Sequence, residues 1–149
     1  MATFVKITNE MPEDKFSFKS TPAQRNYGEH ALHAAGANLN FLKTLGGKTP
    51  APEVNLKATS KAEIIKAVTD AFAYCESAYA GINDQNGAEV VEITQENGNK
   101  TRQARLALLT LNVIHNNEVY GSMVTTLRIK NIVPSSSEPR PQQMPAAPR

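Results

Sequence analysis

Apolar residues recur at helical spacing over three long stretches of the 149-residue chain. The first stretch begins at Thr21-Pro22, an N-cap residue followed by proline at the first helical position. It runs to Leu45 and stops at Gly46-Gly47, with Pro50 and Pro52 beyond. Its middle, Ala31 to Leu42, is small and apolar nearly all round, as suits a helix packed on several sides. The second begins at Ser60, where Ser60-Lys61-Ala62-Glu63 forms a capping box. Val68, Phe72, Cys75, Tyr79 and Ile82 then fall on one stripe. The third runs from near Thr101 to about Lys130, with Leu108, Leu111, His115, Val119 and Ser122 in line and Met123 and Leu127 beside them. Residues 50–59 read as a loop. Residues 88–100 carry Val90, Val91, Ile93 and Thr94 and then Asn97-Gly98, a turn pair, so they predict a short extended excursion. The pattern is that of an all-α bundle.

Both ends depart from this scheme. Phe4, Val5 and Ile7 form one apolar face, but Met11-Pro12 ends any helix there, because a residue before proline is pushed out of the α region. A helix of about ten residues is marginal alone. A four-helix bundle with one half-length helix leaves apolar grooves open at one end. Either the natural chain starts upstream of Met1 or a partner fills the gap, and the first is the favoured expectation. At the other end, Pro134 to Arg149 holds five of the nine prolines, three serines and almost nothing apolar. That composition predicts a disordered tail, leaving residues 1–133 as the folded domain and 134–149 outside it.

Composition removes several classes of function. Sixteen Lys+Arg against fourteen Asp+Glu give a net charge of +2, too little and too evenly spread for a nucleic-acid surface. A single cysteine allows no intrachain disulfide and no cysteine-based zinc cluster. No apolar run approaches the roughly 20 residues a bilayer span needs, and the first ten residues lack a signal-peptide core. The default compartment is therefore the cytoplasm, although an export signal could precede Met1 if the true start lies upstream.

Three histidines are the candidate chemistry. His33 sits in the apolar middle of the first long helix, His30 one turn earlier, and His115 on the core stripe of the last. Neutral imidazole is a good ligand for zinc, nickel or iron, and bundles build such sites from facing helices. Equally, a lone buried histidine is most often a hydrogen-bonded core residue. His30 reads as a partly exposed neighbour of Glu29. Cys75, Tyr74 and Tyr79 read as packing. Asn99-Lys100-Thr101 matches a glycosylation sequon, but Thr101 is better explained as a helix cap. Gly46-Gly47-Lys48 ends a helix where a phosphate-binding loop would begin one. Serine-nucleophile and paired-histidine HExxH motifs are absent.

Beyond periodicity, particular residues resemble a known family. They are Met11-Pro12-Glu13-Asp14-Lys15-Phe16-Ser17-Phe18, then Gly28-Glu29 leading to His33-Ala34-Ala35, then His115-Asn116-Asn117-Glu118-Val119-Tyr120-Gly121 with Leu127-Arg128 and Ile132-Val133-Pro134. In this order they resemble the DinB-like superfamily, and more narrowly its small bacterial members. The resemblance spans residues 4–134 and implies a four-helix bundle whose first helix is largely missing here. It also implies a metal site of three histidines, one on the second helix and two spaced i, i+4 on the last. The first maps to His33 and the second to His115, but the third falls on Val119. Residues four apart share a helix face, so a histidine at position 119 would point at the same ion as His115. With valine there, only two protein ligands remain where catalytic sites usually hold three. Glu118 is rotated about 100° off that face, and His30 could contribute only if its helix turned.

Three readings follow. In the first, the bundle has a degenerate metal site and serves as a small-molecule-binding or interaction module. In the second, His33 and His115 hold a divalent ion in a hydrolase or thiol transferase, by analogy with relatives. The third is a structural bundle that forms a homodimer through the face left open by the short first helix.

Overall fold

Pro12 ends the first helix where the sequence places the break: α1 spans Ala2–Glu10. The computed structural model describes residues 2–45, 50–94 and 97–137. The Gly46-Gly47 helix stop and the tail from residue 138 onward lie outside the described residues. Past α1 come α2 (Tyr27–Lys43), α3 (Lys61–Tyr79), a hairpin of β1 (Val90–Thr94) and β2 (Lys100–Ala104), and α4 (Arg105–Ile129). α2 packs on both α3 and α4, while α1 packs on α3 and α4 at one end of the bundle. Among the described residues no helix is long and apolar enough to cross a membrane.

Helix starts follow backbone satisfaction. Ser60 caps α3 as expected, its side chain accepting from the Glu63 N–H and bonding the Glu63 carboxylate at 2.7 Å. Thr21-Pro22, by contrast, does not start α2. Asn26 does, since its Oδ1 accepts the Glu29 N–H at 2.8 Å and its own N–H reaches Glu29 Oε2 at 2.7 Å. Residues 13–26 instead fold back along the bundle, with Tyr27 and Gly28 N–H groups bonded to the Phe18 and Phe16 carbonyls. At Gly28 the packing is close: a Cβ would sit 2.9 Å from Ile64 Cδ1 and 3.3 Å from Phe16 Cδ1, so those side-chain ends would have to shift.

Thr101 is likewise no helix cap. It pairs with Ile93 across the antiparallel hairpin, whose turn places Gly98 at φ +82°. α4 then begins directly at Arg105 with no side-chain cap, because the carbonyls of Glu89 and Gly87 accept the N–H groups of Arg105 and Leu106. At its other end Asn131, at φ 58°, occupies the left-handed position of a Schellman motif, with Ile132 N–H bonded back to the Leu127 carbonyl. Beyond Val133, Pro134 is buried, and the Ser135 N–H meets the Glu10 carboxylate at 3.1 Å.

Two apolar clusters divide the interior. One gathers Phe4, Ile7, Tyr27, Phe72, Val119 and Met123 around α1. The other gathers Leu42, Tyr74, Cys75, Ile93 and Leu108 beneath the hairpin. α1 has 9 residues against 25 in α4, so it covers only the lower half of that helix. Above it Leu106 and Ile114 each remain 59% exposed.

α1 is fastened by two polar contacts. Lys61 Nζ reaches the carbonyls of Asn9 and Met11 at 2.7 and 2.9 Å, and the fully buried Tyr27 hydroxyl donates to the Ile7 carbonyl. Burial pushes the Tyr27 phenol well above its ordinary pKa, so it stays a donor. Tyr27→Phe strands that carbonyl and is expected to cost about 1–3 kcal/mol, read as a lower urea midpoint.

Candidate functional site

α2 and α4 bring His33 and His115 together. Their Nε2 atoms lie 3.0 Å apart and their ring centroids 4.9 Å apart, the planes inclined at 63°. A hydrogen bond at that separation requires one neutral ring to donate its Nε2–H and the other to accept at Nε2. The Phe41 ring stands edge-on to His115 at 5.8 Å. The pair forms part of the wall of a cavity of about 460 Å³, which Phe41, Leu108 and Leu111 line with apolar surface and Asn97, Thr101 and Gln103 of the hairpin region with polar groups. His115 Nδ1 is buried and has no hydrogen-bond partner among the described residues. Burial lowers the pKa of His115, the Glu118 charge opposes that shift, and the Arg25 charge adds to it.

Position 119 lies apart from this arrangement. Val119 is 5% exposed and packs in the α1 cluster. Glu118 is exposed. His30 is buried, at 8% exposure, which corrects the expectation of a partly exposed neighbour of Glu29: it shares a helix face with the buried Tyr27 and Ala34. No group of three or more His, Cys, Asp or Glu gathers at one point among the described residues. The donor set is thus two imidazoles, and it does not fit a three-histidine metal centre.

A polar network beside the pair was not anticipated from the sequence. Asn38 and Asn112 are fully buried. Asn38 Oδ1 accepts from Asn112 Nδ2 at 2.7 Å and from Asn116 Nδ2 at 2.8 Å, and the Tyr79 hydroxyl donates to Asn112 Oδ1. Burial pushes the Tyr79 phenol up to about 12. The available signal was the i, i+4 pair Asn112 and Asn116 beside His115, with Asn38 in the apolar middle of α2. Cys75 is buried packing, its thiol pushed up to about 12 by burial.

No family model matches the chain, and no curated protein matches it. A solved structure does: the crystal structure of a DinB-like protein from Bacillus cereus superposes with a TM-score of 0.72 over 89% of this chain and 87% of that one, at 17% sequence identity. The chain has the DinB-like fold. The identity is too low to carry an activity across.

His30 provides a pH test of this packing. Burial, and then the Arg25 charge, lower its pKa, with Glu29 partly opposing. A depressed folded-state pKa means its contribution is complete above the ordinary value of about 6.5 and is lost as pH falls through the folded value. The urea midpoint is therefore expected to drop below about pH 6.5, and His30→Gln to flatten that part of the profile.

Proposed function

We propose that this DinB-like protein is a small-molecule-binding module whose recognition centre is the His33–His115 pair, with the third metal-ligand position lost to Val119. The observation that supports it most is the meeting of the two Nε2 atoms at 3.0 Å on the wall of the roughly 460 Å³ cavity. A space of that size, apolar on most sides with a few converging polar groups, is of the kind that takes small ligands. Paired neutral imidazoles offer one donor and one acceptor, and a ligand hydroxyl or amide can replace either partner. Octanol is expected to shift the ring protons of both histidines in NMR spectra, and His33→Ala or His115→Ala to remove the response. Absence of any shift at either ring with small apolar alcohols would refute the reading.

A second reading keeps a divalent ion on the two imidazoles. The 3.0 Å spacing suits an octahedral ion, on which two ligands at 90° and about 2.1 Å from the metal are about 3.0 Å apart, better than tetrahedral zinc, which sets them about 3.4 Å apart. Elemental analysis of untagged protein after exposure to zinc or nickel separates the two. The expected result is far less than one metal per chain, since Val119 packs in the α1 cluster and leaves the pair without a third ligand. One equivalent in the wild type, lost in His33→Ala or His115→Ala, would decide for the metal.

A further inference from the structure

His33 and Ala37, one turn apart on α2, belong to two walls at once. Besides the cavity shared with His115, they line a second one of about 520 Å³ together with Lys19, Gln24, Arg25, Glu29 and Leu56. The two spaces share His33 and Ala37 in their walls and differ in character. The first is closed mainly by Phe41, Leu108 and Leu111, and the second carries two cations and one carboxylate.

The charges in the second cavity are unequally engaged. Glu29 Oε2 already accepts the Asn26 N–H at 2.7 Å and has Lys19 Nζ at 3.9 Å. Arg25 forms neither a hydrogen bond nor an ion pair with any described residue, although its charge is near enough to depress both His30 and His115. Lys19, Arg25 and Glu29 leave one net positive charge. A guanidinium is the side chain best shaped for a carboxylate, since its planar fork gives two parallel charge-assisted hydrogen bonds.

We propose that the adjoining cavities form one site for a small carboxylic acid with an apolar tail. The tail lies against Phe41, Leu108 and Leu111, the chain crosses His33, and the carboxylate meets Arg25. The single net charge matches a carboxylate, whereas a phosphate dianion would leave one negative charge uncompensated. This inference rests on the reading of the His33–His115 cavity as a ligand site and adds the ligand class.

The test titrates the full chain with octanoate, octanol and octylamine by calorimetry, with the histidine ring protons followed by NMR. Octanoate is expected to bind about tenfold or more tightly than octanol, and octylamine more weakly than either. Arg25→Gln, a change at an exposed loop position, should remove that preference and leave octanol binding unchanged. If octanol and octanoate bind equally and both shift the two histidines, the ligand class is wrong while the cavity reading stands. An unchanged octanoate affinity in Arg25→Gln also overturns it. If no probe shifts either histidine, the cavity reading falls and takes this inference with it.

Discussion

A buried amide left unpaired is costly, and Asn38 in the middle of α2 is completely buried. The side chains that satisfy its oxygen come from α4, where Asn112 and Asn116 stand one turn apart and both donate to it, while its Nδ2 has no partner among the described residues. That requirement fixes the axial register of α4 against α2 more sharply than apolar contacts can, because apolar side chains tolerate sliding and an amide does not. The rest of the site depends on it. With Asn112 and Asn116 placed on Asn38, the intervening His115 comes opposite His33 across the same helix pair, and the two rings meet at hydrogen-bonding distance.

The hairpin follows from the same register. α4 cannot start earlier than Arg105, since residues 100–104 are drawn into pairing with 90–94. Ile93 then packs down on Leu108 and Leu42 while Thr101 and Gln103 face the cavity. A helix begun at Thr101 would have removed the polar wall of that space. The segment leading into β1 supplies, from Gly87 and Glu89, the carbonyls that satisfy the first N–H groups of α4, so the helix needs no capping side chain.

Elements set by local chemistry were legible in the sequence. Pro12 stops a helix through sterics, Ser60 and Glu63 exchange hydrogen bonds within three residues, and Asn97-Gly98 suits a tight turn whatever surrounds it. His33 and His115 were legible as a facing pair through the resemblance and through their apolar surroundings. What was lost depended on distant partners. Thr21-Pro22 satisfies the rules for a helix start, yet the fold-back of residues 13–26 and the Asn26–Glu29 box move the start five residues on. Thr101 reads as a cap until the strand opposite it is known. His30, read as partly exposed, is buried because it shares a face with Tyr27 and Ala34 that the packing of α2 turns inward. The asparagines were overlooked because a polar residue on a helix is ordinarily solvated, and nothing local tells which ones face another helix.

Val119 bears on function for a packing reason. A third imidazole at that position would need room and hydration within a cluster that holds Phe4, Phe72 and Met123. Valine fills the space with apolar contact instead, and α1, short as it is, packs its Phe4 ring on Phe72 at 4.7 Å within the same cluster. Polar and apolar demands are thereby separated along α4. Below Val119 the helix serves the core, and from His115 upward it serves the amide network and the cavity. Neutral imidazoles can satisfy each other across such a boundary without an ion, since opposite tautomers provide both donor and acceptor. The same pairing leaves His115 Nδ1 buried and unmatched. The polar demand in this half of the bundle is therefore not fully met by the described residues: Asn38 Nδ2 and Asn116 Oδ1 are also buried without a partner there, and of these three side chains His115 lines the cavity.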